Sequence, residues 1–392
     1  MNSRLLQVQE STTIRIADMA REIERRGERV IKLQTGDPDF ATPEAIIAGA
    51  HHAMKTGYTH YVASRGLPEL CQAVADKLRR DNGLEYDPNT ELLVTHGASH
   101  AVFVALQALL EPGDQVLVIS PFWMPYASST QLAGGYPIQV PTDPGRGFEF
   151  HVDELRVRLT PRSRVVILNT PANPTGKVFS REELRAIAEA AETYNLYVLA
   201  DEVYEKLIYD GGEHISFAAL DGMKERTITV NSLSKTYAMT GWRVGYLAGP
   251  SVLVEQMLKV AQYSGTNVAP FSQMGALVAL TDPSLATFIE RMRQTFDRRR
   301  QHVIEALHAM DGLRLAIPQG AFYFMLDVSC FCQDSMAFAY RLLDKARVAV
   351  VPGVSFGDCA EGWVRITFAV DEVPLLEGLA RLGEFLHTEY AL

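Results

Sequence analysis

The chain has 392 residues, 47% of them hydrophobic and 21% charged, a composition that excludes disordered, collagenous and fibrous classes and favours two domains. Thirty-seven Lys and Arg against 47 Asp and Glu leave a formal charge of −10. That argues against a general nucleic-acid partner but leaves room for a local basic pocket. No apolar run approaches the roughly 18 residues of a membrane span, and Met1–Gln9 lacks the apolar core of a signal peptide. Cys71, Cys330, Cys332 and Cys359 form no CxxC pair and read as free thiols of a cytoplasmic protein, with no metal implied.

Ile16, Met19, Ala20 and Ile23 recur at helical spacing until Gly27 stops them. A brief strand, Val30 to Leu33, runs into Gly36-Asp37-Pro38-Asp39, and Thr42 and Pro43 suit the N-cap and first turn of a second helix. From about residue 91, strands at Leu92–Val94, Val116–Ile119, Val165–Leu168, Tyr197–Ala200 and Thr227–Val230 alternate with helices, one of them from about Ala98 to Leu110. Such alternation implies an α/β domain whose mostly parallel sheet is covered on both faces. Beyond Thr281 the pattern predicts a long charged helix, Ser284 to Met310, and a helix around Met336–Lys345. Strand-like runs lie at Ala321–Val328, Ala346–Val351 and Val364–Phe368, giving a smaller α+β domain. The expected division is 46–280 for the large domain and 281–392 for the small one, with 1–45 joining the latter.

The chemistry concentrates in Asn231-Ser232-Leu233-Ser234-Lys235, where a strand ends in a polar turn and a lysine, with Arg243 following. A phosphate-bearing aldehyde cofactor needs a lysine amine, and it needs hydroxyls and a guanidinium for its phosphate; Ser232, Ser234 and Arg243 are the right types. Asn169-Thr170-Pro171-Ala172-Asn173-Pro174-Thr175-Gly176 makes a rigid turn after an apolar strand, at the sheet edge where ligands bind in such folds. Ala200-Asp201-Glu202-Val203-Tyr204 ends another strand. Thr95-His96-Gly97-Ala98-Ser99 opens a helix whose free amides suit an anion. Trp123 stands just past a strand end, and Arg365 lies between Val364 and Ile366, where a guanidinium wants an anion. Taken singly, these residues also fit a solvated lysine, a helix-capping Asp or Ser, a core tryptophan and a structural salt bridge.

In order, and over nearly the whole chain, these blocks resemble the class I aminotransferases of the pyridoxal-phosphate (PLP) fold type I. The resemblance implies an α/β fold, with a mostly parallel seven-stranded-type sheet in the large domain and a smaller α+β domain. It implies PLP held by Lys235 as a Schiff base, with Asp201 on the ring nitrogen, Asn173 and Tyr204 on the phenolic oxygen and Trp123 stacked on the ring. Gly97, Ala98, Ser99, Ser232, Ser234 and Arg243 would hold the phosphate. Arg365, Gly36, Trp123 and Asn173 would meet the amino acid. Tyr61 matches a tyrosine that reaches into the neighbouring subunit's site, which implies a homodimer. The implied activity moves an amino group from an L-amino acid to a 2-oxo acid, with Lys235, Asp201 and Tyr204 catalytic. The alternative is a PLP-dependent lyase or cyclodehydratase of specialised metabolism, because the cofactor performs the hard step in both. Some dicarboxylate-using relatives carry a lysine where this chain reads Gly97-Ala98-Ser99-His100, and Arg15 could meet an acidic side chain or face solvent.

Other signals are weaker. Gly353-Val354-Ser355-Phe356-Gly357 satisfies the nucleophile-elbow pattern but has no oxyanion segment upstream. His96 and His100 lack a third ligand, and His51-His52 reads as surface. A PLP-sensing transcription regulator would need a DNA-binding module, for which the first 30 or so residues are too short.

Overall fold

The computed structural model describes residues 3–6, 8, 10 and 12–390, so parts of Met1–Gln9 lie outside the described residues. In chain order, α1 (Thr12–Arg25), β1 (Ile31–Lys32), α2 (Glu44–Lys55) and α3 (Pro68–Asn82) precede the main sheet. The sheet region runs β2 (Leu92–Thr95), α4 (Gly97–Leu109), β3 (Gln115–Ser120), α5 (Pro125–Leu132), β4 (Tyr136–Pro141), α6 (Val152–Arg156) and β5 (Ser163–Asn169). It continues through α7 (Arg181–Thr193), β6 (Tyr197–Asp201), β7 (Thr227–Ser232), α8 (Leu233–Thr236) and β8 (Gly245–Ala248). After α9 (Ser251–Ser264), α10 (Pro270–Thr281) and α11 (Leu285–His308) come β9 (Arg314–Ala316), β10 (Tyr323–Asp327) and α12 (Ser335–Ala346). The chain closes with β11 (Val348–Ala349), β12 (Val351–Pro352), β13 (Trp363–Thr367) and α13 (Glu372–Tyr390).

The large sheet has seven strands in the order β2-β8-β7-β6-β5-β3-β4, and only β8 runs against the others. Its central strands are apolar on both faces, as a sheet covered by helices on each side requires; Val116, Val165, Val198 and Ile228 are all fully buried. Each such side chain contributes about 1.5–3 kcal/mol on burial. The parallel strands therefore end together, bringing Ser120, Asn169, Asp201 and Ser232 to one edge. A four-stranded antiparallel sheet, β12-β13-β10-β9, forms a second layer that carries Tyr323 and Arg365. β1 pairs in parallel with β11, Ile31 opposite Val348, so the N-terminal segment is stitched to the C-terminal part of the chain.

Three expectations are corrected. Thr42 does not cap α2, which begins at Glu44 with Pro43 at the N-cap. Its hydroxyl instead donates to Ala238 O at 2.6 Å and accepts from Trp242 Nε1 at 3.0 Å, a long-range contact that outcompetes the local cap. The run Ala346–Val351 is two short strands, because Val348–Ala349 pairs with β1 while Val351–Pro352 pairs with β13. The run Ala321–Val328 is strand only from Tyr323, since Ala321 sits at φ 57 in a turn.

Candidate active site

β7 ends at Ser232, and the single turn α8 carries Lys235 to the edge of the sheet. Ser232 caps that turn, its Oγ accepting from Ser234 N at 3.3 Å. Lys235 Nζ donates to the Gly36 carbonyl, which ties the N-terminal segment to the lysine turn. Burial lowers this amine from the usual lysine range to about 8; Asp37 opposes the shift, while Arg365 and Arg243 add to it. A lysine lowered in this way is neutral often enough to act as nucleophile or base.

Asp201 ends the neighbouring strand and is fully enclosed. Its Oδ2 accepts from Tyr126 OH at 2.7 Å and its Oδ1 from Val203 N at 3.3 Å. Burial raises the carboxyl to about 6 despite these two donors. A carboxylate desolvated in this way gains when a cation or N–H is brought to it. Trp123 meets Tyr126 edge-on, ring centroids 5.4 Å apart. Tyr204 OH lies 3.0 Å from Tyr323 OH, and burial pushes both phenols up.

An anion cradle forms where α4 begins. Gly97 has φ +77, and a Cβ there would stand 2.5 Å from Arg243 Nη2, so only glycine lets the guanidinium lie against the helix N-terminus. Arg243 donates to Thr240 O at 2.8 Å and His96 O at 3.3 Å, and it forms no salt bridge among the described residues. The amides at the start of α4, the Ser99, Ser232 and Ser234 hydroxyls and this unneutralised guanidinium are donors of the types that an anion such as phosphate takes.

Arg365 brings a second cation to the cavity. It is 3% exposed, yet no carboxylate among the described residues pairs with it. Nη1 donates to Asn173 Oδ1 at 2.8 Å and Nη2 to Gln34 O at 2.7 Å, while Nε is buried without a partner. The Tyr323 and Phe356 rings flank the guanidinium, 4.3 and 4.9 Å from its carbon. The structural salt bridge is thus excluded, and a buried cation stands ready for an anion. Gly36 beside it leaves room for Tyr323, whose OH would lie 2.7 Å from any added Cβ.

All these groups line one cavity of about 530 Å³: Gly36, Ala98, Ser99, Trp123, Asn173, Asp201, Tyr204, Ser232, Ser234, Lys235, Arg243 and Arg365. Gly97 lies behind Arg243 instead of in the wall, and Tyr61 stands 87% exposed and outside the lining. Sequence reasoning gave no role to Tyr126, Tyr323, Asp37 or Phe356, which also line the cavity. Tyr126 follows Trp123 by one turn, a spacing that could have suggested it.

The weaker signals resolve differently. Ser355 lies in a 3-10 turn, Gly353–Phe356, and not at a strand-to-helix elbow. His96 and His100 bond to Gly265 O at 3.2 Å and Ser264 Oγ at 2.9 Å, holding α4 against the end of α9. No described helix is long and apolar enough to cross a membrane.

The fold and the chain as a whole have known counterparts. The family model described as aminotransferase class I and II matches residues 28–382. An aspartate aminotransferase of Pyrococcus abyssi is 42% identical over 98% of both chains. An aromatic-amino-acid aminotransferase 2 of Thermococcus litoralis is 41% identical over the same share of both. The solved aspartate aminotransferase from Thermus thermophilus with maleate superposes with a TM-score of 0.94 at 39% identity, covering 98% of this chain and 99% of that one. The chain belongs to the class I and II aminotransferases, enzymes of the α/β fold just described, and it moves an amino group from an amino acid to a 2-oxo acid.

Proposed function

We propose that the cavity holds PLP and that Lys235 is the amine that captures its aldehyde. The donor set fits that group: an amine lowered to about 8, a buried carboxylate, an aromatic face and an anion cradle from which a Cβ at Gly97 would push the Arg243 guanidinium. When bound, PLP supplies an aldehyde for the amino group and a ring that delocalises the electron pair left at the substrate Cα. Asp201 would hold a proton on the ring nitrogen, with Tyr126 fixing its carboxylate. Asn173 and Tyr204 would bond the phenolic oxygen, and Trp123 would cover the ring. Ser99, Ser232, Ser234 and Arg243, with the amides of Gly97 and Ala98, would bind the phosphate.

Arg365 would take the substrate α-carboxylate in a two-pronged contact, helped by the close backbone at Gly36. The freed Lys235 amine would then remove the Cα proton and later return a proton, acting as base and acid in turn. Exposed Tyr61 would enter the phosphate site of a second copy, making the working unit a homodimer. We read residues 1–45 and 281–392 as one smaller domain beside 46–280, a division supported by the β1–β11 pairing. Cytoplasmic residence remains our expectation.

The observation that carries this reading is the convergence of Lys235, Asp201 and two unneutralised arginines on one cavity. The test is a visible spectrum followed by single amino acids added without an oxo-acid acceptor. Stoichiometric 2-oxo acid with a converted cofactor is expected. Ammonia or a cyclic product instead would favour the lyase reading, and a spectrum indifferent to Lys235→Ala would refute the site.

A further inference from the structure

Beneath the cavity floor lies a buried charge that the chemistry above leaves unused. Glu205 directly follows Tyr204 and is 8% exposed. Its Oε1 accepts from Lys77 Nζ and from Asn231 Nδ2, the latter at 2.9 Å; its Oε2 accepts from Asn82 Nδ2 at 2.8 Å. Lys77 and Asn231 are themselves 4% and 2% exposed. Burial pushes the Glu205 carboxyl up, but Lys77 and the other donors outweigh it and hold the group at about 2, ionised at any working pH.

The bonds continue toward the lysine. Asn231 turns its Oδ1 back to accept from Ser232 N at 2.7 Å, and Ser232 Oγ accepts from Ser234 N at 3.3 Å. A continuous chain of hydrogen bonds thus runs from the C-terminal half of α3, through Glu205 and Asn231, into the turn that carries Lys235. Glu205 and Asn231 also fasten the segment after β6 to the end of β7. None of these bonds reaches Arg365, Gln34 or Gly36. Glu202 and His214 lie beside Glu205, with ligand-type atoms within 4.8 Å of one another. Lys77 already occupies Glu205, and Ser216 Oγ, Phe217 N and His214 fill Glu202, so the group is a hydrogen-bonded network.

We propose that Glu205 is a positioning residue that acts through Asn231 to set the two serines of the phosphate-binding turn, Ser232 and Ser234, and so governs retention of the cofactor's phosphate but not capture of its aldehyde or recognition of the amino acid. A buried ion pair is weak as a source of net stability, because desolvation offsets the attraction, but it fixes geometry well when every partner is satisfied. Here the bonds join the segment after β6 to the end of β7, the two stretches that bring Asp201, Tyr204, Ser232 and Ser234 to the cavity. This inference rests on the reading that PLP binds at Lys235.

The test is titration of the cofactor-free protein with PLP and, separately, with pyridoxal, which lacks the phosphate. Asn231→Ala leaves the Lys77–Glu205–Asn82 cluster intact and should raise the PLP dissociation constant about tenfold, the loss of roughly one hydrogen bond's worth of alignment. Pyridoxal affinity and the amino-acid KM at saturating PLP should stay within about twofold. Glu205→Gln should give the same pattern, and the double variant should be no worse than the poorer single one. Equal weakening of PLP and pyridoxal, a matching rise in KM, or additive effects would overturn the proposal. If Glu205→Gln does not accumulate folded, the Asn231→Ala comparison decides alone. Wild-type protein that fails to take up PLP would refute the cofactor reading itself, whereas normal uptake by wild type and variants alike would remove only this inference.

Discussion

Replacing Arg365 by lysine keeps a positive charge at the base of the cavity and removes the fork. In the structure the guanidinium spends one N–H on Asn173 Oδ1 and one on Gln34 O, leaving three of its five donors, the buried Nε among them, for a ligand. An ammonium cannot span both anchors and still offer two parallel bonds to a carboxylate. The loss is one charge-assisted hydrogen bond, about 1.5–3 kcal/mol, or roughly 10- to 150-fold in kcat/KM for the amino acid. Arg365→Leu removes both bonds and strands the Gln34 carbonyl, so roughly a thousandfold loss is expected. The assay is the first half-reaction followed by stopped flow at varied amino-acid concentration, with PLP affinity measured in parallel. Cofactor affinity should fall by much less than kcat/KM does, because Arg365 touches none of the phosphate donors and reaches the cofactor side of the cavity through Asn173. If Arg365→Leu keeps kcat/KM within threefold, or weakens PLP as much as the amino acid, the carboxylate assignment is wrong.

Tyr126→Phe removes the 2.7 Å bond to Asp201, whose carboxyl already stands at about 6. Loss of a bond worth about 1.5–3 kcal/mol should raise it by a further one to two units, measurable by carbon-13 NMR of the cofactor-free protein. The same carboxyl has a stability consequence. Its folded pKa, about 6, lies above the unfolded 3.8, so the group costs nothing at low pH and destabilises increasingly as pH rises through this window. Asp201→Asn should therefore stabilise the cofactor-free protein by about 3 kcal/mol at pH 7.5 and hardly at all at pH 3.8, as read by urea denaturation. Gly97→Ala forces a Cβ to 2.5 Å from Arg243 Nη2 at a backbone angle of +77 and should weaken PLP binding more than it weakens pyridoxal binding. Because the Lys235 amine stands at about 8, the rate of aldehyde capture should climb with pH up to that value and level off above it; a rate still climbing tenfold per unit at pH 10 would contradict the lowered amine.

The site was legible where chemistry-bearing residues are contiguous at strand ends. Asn231 to Lys235, Ala200 to Tyr204 and Thr95 to Ser99 each pair an apolar strand with an abrupt polar turn. The alternation of strands and helices likewise gave the covered parallel sheet. What stayed hidden are partners that only folding unites. Tyr126 and Asp201 are 75 residues apart, Lys77 and Glu205 are 128 apart, and Gln34 and Arg365 are 331 apart. A tyrosine or lysine carries no local mark of such a role. The helices α3, α10 and α13 and the strand β8 also went unassigned. The mostly apolar α10 and the short, wholly buried β8 give weak periodicity, whereas α3 carried readable marks in Pro68 at its start and Gly83, at φ 67, after its end.

The parallel pairing of Ile31 with Val348 and the bond from Arg365 to Gln34 impose an order in time as well as in space. On the ribosome, the first forty residues emerge long before the strand they pair with exists. Every strand of the large sheet has been made once Ala248 is added, while closing a loop of more than 300 residues must wait for the chain's end. The two anion sites therefore mature separately, the cradle at α4 first and the Arg365 site last. The last contacts to form are those that hold Arg365 to the N-terminal segment, so the cavity closes only when the two ends of the chain have met.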